Sequence, residues 1–184
     1  MNIHIIRHGQ TNYNILGLCN DNPSRDVYLT MEGISQAERA AQNLKDVSID
    51  LIFISQLPRT RQTARLINAY HDVRIIECEE LNDIRTGFDG KPVDDYFSAV
   101  GHDRFNIVPK GGESLSQFKH RTNAFIDVLL MEDYGDILIV AHEETMRVFA
   151  ARFNHLSDQE MDSLSFANCE LLSFRTSSRF RHTA

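Results

Sequence analysis

The 184 residues are 42% hydrophobic and 24% charged, the size and make-up of a globular chain with a full hydrophobic core. A formal net charge of −7 argues against a general nucleic-acid binder, which carries a basic excess. No apolar run approaches the ~20 residues of a membrane span and no signal-peptide pattern opens the chain, while Cys19, Cys78 and Cys169 fit neither a disulfide framework nor a zinc spacing, so a cytoplasmic location is expected.

Asn2–Ile6 reads as a short buried strand in which Ile3, Ile5 and Ile6 supply β-branched bulk, and it runs directly into Arg7-His8-Gly9. Thr30 is placed to cap a helix through Leu44, with Ile34, Ala37, Ala41 and Leu44 on one face. A strand follows at Leu51–Ser55. Pro58 then sits where a helix can start, and Arg59–Ala69 continues it. Val73–Ile76 is a third strand. Residues 77–95 are rich in acids, which alone predicts a solvated loop, and Gly87–Lys110 is the candidate lid. Ser114 and Gln117 have the spacing of a capping box, opening a helix lined by Leu115, Phe118, Thr122, Phe125 and Leu129. Asp136–Ala141 is a strand, Glu143–Phe153 a helix and Cys169–Phe174 a last strand. The chain is expected to form one domain over residues 1–175, with 176–184 a basic polar tail, frayed at its end.

Strands alternating with helices predict a three-layer α/β/α sandwich with a mainly parallel central sheet. Right-handed crossovers then bring the carboxyl ends of the strands to one edge, where ligands of such sheets bind. Arg7 and His8 stand there after the first strand, Ser55 and Arg59 after the second, and His142 after the fourth. Two arginines and two histidines gathered on one edge of an acidic chain repel one another unless an anion neutralises them. Helices opening just after His8 and His142 add free N–H groups and a positive dipole end. Phosphate fits this charge and geometry best. His4, His71, His102, His120 and His155 keep structural roles, and Cys78 and Cys169 read as packing residues.

Five blocks, taken in order, resemble the histidine phosphatase superfamily, also called the phosphoglycerate mutase-like family. Arg7-His8-Gly9-Gln10-Thr11, with Asn14 behind it, resembles the family's Arg-His-Gly signature. Ser55-Gln56-Leu57-Pro58-Arg59-Thr60-Arg61-Gln62-Thr63-Ala64 resembles Ser-Pro-Leu-x-Arg-x-x-Gln-Thr-Ala with its proline moved two places. LNDIRTGFDG at 81–90 resembles a Leu-x-Glu block, Gly111-Gly112-Glu113-Ser114 matches Gly-Gly-Glu-Ser, and Ala141-His142-Glu143-Glu144-Thr145-Met146-Arg147 resembles Ser-His-Gly-Gly-x-x-Arg. The blocks span residues 1 to about 175.

The resemblance implies a phosphoglycerate mutase-like fold and a two-step phosphoryl transfer. His8 attacks phosphorus as a neutral imidazole, its other ring nitrogen donating to a fixed acceptor such as a backbone carbonyl. Arg7, Arg59 and a protonated His142 hold the phosphoryl oxygens, Asn14 lies beside them, and Glu143 offers its backbone N–H. No metal and no cofactor is implied. Asp83 occupies the place of the glutamate that protonates the leaving group, one methylene shorter, with Glu80 and Asp89 as nearby alternatives. The substrate is expected to be a small phosphorylated metabolite, with no nucleic-acid or membrane partner. Arg61 and Arg147 read as supporting or surface residues.

The shortness of the chain between core blocks favours hydrolysis over transfer, since transfer back to a bound intermediate requires water to be excluded. The alternatives are phosphoglycerate mutase-type transfer, removal of phosphate from protein phosphohistidine, and a non-catalytic phosphate-binding relative. Asp83, retained where a phosphoramidate needs no acid, counts against the second alternative. Glu143-Glu144 in place of Gly-Gly is the largest departure from the family, explained either by helix capping or by carboxylates facing the pocket.

Overall fold

The computed structural model describes residues 1–176. Five strands form one sheet: β1 (Asn2–Arg7), β2 (Leu51–Ile54), β3 (Arg74–Glu77), β4 (Ile137–Ala141) and β5 (Leu171–Arg175). Their order is β3-β2-β4-β1-β5, parallel except for β5, which runs antiparallel to β1. The helices are α1 (Asn12–Leu16), α2 (Met31–Leu44), α3 (Pro58–Asn68), α4 (Val93–Val100), α5 (Leu115–Met131), α6 (Glu143–Asn154) and α7 (Asp158–Ser163), and a 3-10 turn spans Glu79–Leu81.

Side chains alternate across the sheet as the period of two requires. Ile3, Ile5, Phe53, Ile137 and Ile139 pack with Leu115, Phe118 and Phe149 from α5 and α6. Ile6, Ile52, Ile54, Leu138 and Val140 pack with Ala41, Leu44, Ala64 and Ile67 from α2 and α3. The expected three-layer sandwich is present. β2 and β4 are buried throughout, as strands covered on both faces must be.

Thr30 accepts from Gly33 N and caps α2, Pro58 is the first residue of α3, and Ser114 with Gln117 closes both halves of the predicted capping box on α5. Cys169 has φ 58°, a left-handed turn that delays β5 to Leu171 rather than the predicted Cys169. The helix expected just after His8 is α1, while the sequence reading missed α4 and α7. Ser157 and Glu160 cap α7 by the same box pattern that was recognised at Ser114, so its signal was available. α4 lies within the predicted lid, opened by Pro92 and carrying Asp94 and Asp95 in its first turn. Of the polar tail predicted at 176–184, Thr176 donates its N–H to the Met1 carbonyl at 3.0 Å, and the rest lies outside the described residues.

The parallel strands place the loops after Arg7, Ile54, Glu77 and Ala141 on one edge. The loop after β1 passes directly over the start of α2. A Cβ on Gly9 would lie 2.5 Å from the Gly33 carbonyl oxygen, and one on Gly33 would lie 2.0 Å from that of Gln10, so both positions need glycine. This contact lets the loop turn sharply and leaves His8 facing the sheet edge.

Candidate active site

A cavity of about 310 Å³ opens at this edge, lined by Arg7, His8, Asn14, Arg59, Asp83 and Glu143 among others. His142 stands just behind its lining. The His8 and His142 rings meet edge to face with centroids 5.3 Å apart. The two histidines are 3% and 1% exposed and Arg59 is 3% exposed. Arg7, His8, Asn14, Arg59, Asp83, His142 and Glu143 therefore come to one place.

His8 Nδ1 lies 2.8 Å from the carbonyl oxygen of Gly9, which can only accept. The proton is therefore on Nδ1, and Nε2 carries the lone pair, meeting the expectation of a backbone acceptor. Arg59 Nε–H donates to that lone pair across 3.0 Å. Burial lowers the His8 pKa well below its usual value, and the Arg59 and Arg7 cations add to the effect, so the imidazole is neutral.

His142 is fixed by a chain of hydroxyls. Its Nε2 is 2.9 Å from Ser55 Oγ, which is 2.9 Å from Thr60 Oγ1, and Thr60 donates to the Leu57 carbonyl at 2.8 Å. The direction follows from Arg59, which can only donate: its Nη2 faces Nδ1, so the ring proton is on Nε2 and goes to Ser55, Ser55 donates to Thr60, and Thr60 donates to the Leu57 and Ser55 carbonyls. His142 Nδ1 is then free of a proton and accepts from Arg59 Nη2 at 3.0 Å. Burial, followed by Arg59 and His8, pushes the His142 pKa well below its usual value. These contacts favour a neutral ring in the free site, whereas the protonated His142 expected from the resemblance belongs to the site with phosphate bound. A phosphoryl dianion on this edge, with Asp83 Oδ2 at 3.5 Å, is the charge that favours protonating Nδ1.

Asp83 Oδ2 accepts from Arg59 Nη2 at 3.0 Å while Oδ1 accepts from the Ile84 N–H at 3.0 Å. Burial raises its pKa to about 6 against the pull of Arg59, so the carboxyl holds a proton far more readily than a surface aspartate. Of the two alternatives, Asp89 binds Arg25, and Glu80 does not line the cavity. The acidic stretch is therefore not uniformly solvated, because Asp83 turns inward. Its loop is held by Arg121, which pairs with the buried Glu113 at 2.6 Å and donates to the carbonyls of Glu80 and Asn82 at 2.7 and 3.0 Å. Sequence reasoning missed Arg121, although Glu113 of the Gly-Gly-Glu-Ser block is its partner.

The remaining motif residues hold the frame. Gly9 N–H donates to Thr63 Oγ1 at 3.1 Å, Leu29 N–H to Gln62 Oε1 at 2.8 Å, and Thr11 with Asn14 forms the capping box of α1. Asn14 thus spends Oδ1 on Thr11 and borders the cavity with the rest of its amide. The helix expected after His8 is the five-residue α1, whose Thr11 cap takes the Asn14 N–H. The Glu143 N–H opens α6, whose first internal bond runs from Met146 to His142. Asn20, also missed, binds Arg59 Nη1 through its side chain and Nη2 through its carbonyl, at 3.0 Å for the latter.

The expected pair of arginines becomes four, since Arg104 and Arg147 also line the cavity. The two glutamates face the site in part and are ion-paired. Glu143 meets Arg7 at 2.8 Å and Arg147 at 3.1 Å, while Glu144 meets Arg104 at 2.8 Å and Arg147 at 3.1 Å. Helix capping alone does not describe them, and Arg147 is a half-buried link between them rather than a surface residue. Among the described residues, no three His, Cys, Asp or Glu side chains are disposed to hold a metal ion.

Residues 3–182 match the family model described as "Histidine phosphatase superfamily (branch 1)". The chain is 32% identical over 161 residues to the adenosylcobalamin/alpha-ribazole phosphatase of Escherichia coli, covering 83% of this chain and 78% of that protein. It is 28% identical over 179 residues to a 2,3-bisphosphoglycerate-dependent phosphoglycerate mutase of Parvibaculum lavamentivorans, covering 89% and 84% of the two. The crystal structure of the alpha-ribazole phosphatase from Shigella flexneri superimposes with a TM-score of 0.87 at 27% identity, covering 96% of this chain and 91% of that one.

Proposed function

The chain belongs to the histidine phosphatase superfamily, and from that premise we propose that it hydrolyses small phosphomonoesters through a phosphohistidine formed at His8. The observation that carries this is the Nδ1–H bond to the Gly9 carbonyl, which leaves the His8 lone pair on Nε2 at the cavity. In the first step Nε2 forms a bond to phosphorus as the ester P–O bond breaks, and the proton of Asp83 goes to the leaving oxygen. Arg59 turns its N–H from Nε2 onto a phosphoryl oxygen, which uncovers the lone pair as it stabilises the developing charge. Arg7, His142 and the Glu143 N–H hold the other oxygens. In the second step the Asp83 carboxylate takes a proton from water, the water oxygen bonds to phosphorus, and the P–N bond breaks to return neutral His8.

Hydrolysis is favoured over mutase chemistry by Glu143 and Glu144, whose carboxylates line the cavity and would repel a second anionic group on the substrate. No metal enters this scheme, because guanidinium groups supply the positive charge. Three unpaired thiols suit a reducing compartment, and cytoplasm is our assignment. Among the described residues, no helix is long and apolar enough to cross a membrane. The test is hydrolysis of an aryl phosphate and a panel of phosphorylated metabolites, alpha-ribazole phosphate included, by the native protein and His8→Ala. Turnover by the native protein alone supports the assignment, and equal turnover by both overturns it.

A further inference from the structure

On one wall of the cavity, the structure leaves four charged or phenolic side chains with unspent bonding capacity. Tyr96 from α4 is 3% exposed and lies beside Arg104, but its hydroxyl completes no hydrogen bond of good geometry in the protein. Arg104, on the segment after α4, spends its terminal nitrogens on Glu144 at 2.8 Å and Asp162 at 2.6 Å, while its buried Nε–H is unpartnered. Arg147 bonds Glu143 and Glu144, each at 3.1 Å, and its Nε–H is likewise unpartnered. Glu144 accepts both arginines on Oε1 and nothing on Oε2, which is also buried. Tyr96, Arg104, Glu144 and Arg147 all line the same cavity as His8 and Asp83. Buried polar groups are ordinarily satisfied, and a cluster of exceptions calls for a ligand.

The chemistry of the unspent atoms selects that ligand. Two N–H groups require an acceptor. A carboxylate oxygen requires a donor, and the phenol can do either. A second phosphate or a carboxylate would satisfy the arginines but meet Glu144 Oε2. An ammonium would satisfy Glu144 but meet two guanidinium groups. The formal charges of the wall cancel, Arg104 and Arg147 against Glu144 and Asp162. Neutral hydroxyl groups accept from N–H and donate to a carboxylate at once.

We propose that Tyr96, Arg104, Glu144 and Arg147 form a leaving-group subsite for neutral hydroxyl groups, so that the preferred substrate is the monophosphate of a polyol or sugar. This rests on the phosphatase assignment for its reaction, but not for its binding contacts. Tyr96 and Arg104 come from the segment around α4, outside the motif blocks, and Glu144 and Arg147 join them to the phosphoryl-transfer centre.

The test compares sorbitol 6-phosphate with n-hexyl phosphate, primary alkyl monophosphates of equal chain length that differ in hydroxyls. Dissociation constants are measured by calorimetry on the His8→Ala protein, alone and with Glu144→Gln or Tyr96→Phe added, and kcat/KM on the corresponding proteins with His8 intact. The polyol phosphate is expected to bind about tenfold or more tightly than the alkyl phosphate, as one or two hydrogen bonds to charged groups imply. Each added substitution is expected to lower that preference by about fivefold or more. Equal affinities in the parent, or a preference unchanged by both substitutions, would overturn the subsite. Failure of the His8-intact protein to hydrolyse either compound would count against the phosphatase assignment, while the ratio of dissociation constants would still decide the subsite.

Discussion

Arg59 Nε–H donates to the His8 Nε2 lone pair across 3.0 Å, and the same guanidinium reaches His142 Nδ1 and Asp83 Oδ2, each at 3.0 Å. One buried cation thus touches the proposed nucleophile, an oxygen-holding histidine and the leaving-group acid. Burial lowers its pKa to about 10, which still leaves it charged at neutral pH. Replacing Arg59 by Met removes a cation that holds the His8 pKa down, so the His8 pKa is expected to rise while burial still keeps it below the usual value. Loss of a charge-stabilising donor is expected to cost roughly 10²–10³ in kcat. A His8 titration by NMR on both proteins checks the first expectation, and steady-state kinetics the second. An unchanged His8 titration would mean that the contact has no electrostatic weight.

Asp83 sets the alkaline side of the pH profile. Its pKa is raised to about 6, so in the free enzyme the protonated acid is present below that pH and lost as pH rises through it. For an alkyl phosphate, kcat/KM is expected to fall above about pH 6, and Asp83→Asn is expected to lower it by roughly 10²–10⁴ at the optimum. Aryl phosphates, whose phenolate leaves unaided, are expected to lose far less. Equal losses on both substrate types would make Asp83 a binding residue.

Glu143 competes with phosphate for Arg7, which it holds at 2.8 Å. Two unit charges ~4 Å apart interact by about 1 kcal/mol in water and about 4 kcal/mol at an effective dielectric of 20. Glu143→Gln is therefore expected to tighten competitive inhibition by inorganic phosphate by about fivefold or more. Glu143→Gly with Glu144→Gly is expected to raise kcat/KM on substrates with anionic tails relative to neutral ones. Inhibition constants and the tail ratio, both unchanged, would leave the carboxylates as structural partners of Arg104 and Arg147.

Metal independence has a direct check. Activity is expected to persist after dialysis against EDTA, because Arg7 and Arg59 supply the charge that magnesium gives other phosphoryl-transfer sites. Loss on chelation with recovery on adding magnesium would contradict the roles given to both arginines.

The frame was legible because its signals are local. The β-branched bulk of Ile3, Ile5 and Ile6, the Thr30 and Ser114 caps and the Pro58 start each act over a few residues, and parallel topology then gathers Arg7, His8, Arg59 and His142 on one edge. What stayed hidden depends on contacts between distant segments. Arg104 and Asp162 are 58 positions apart, and Arg121 reaches Asn82 across 39. No spacing rule connects such partners. The directions of Glu143 and Glu144 were equally hidden, since helix capping and arginine pairing put the same residue type at the same place. The downward push on the His142 pKa was hidden too, because it depends on burial and on the Arg59 contact, both properties of the folded edge.

The central claim is covalent chemistry at His8, and trapping the intermediate tests it most directly. Rapid acid-free quenching during turnover, followed by peptide mass spectrometry, is expected to find one phosphoryl group on His8, stable to base and labile to acid. His8→Ala is expected to show neither the adduct nor turnover while keeping the native circular dichroism. Phosphate on another residue, or turnover by the folded His8→Ala protein, would contradict the account.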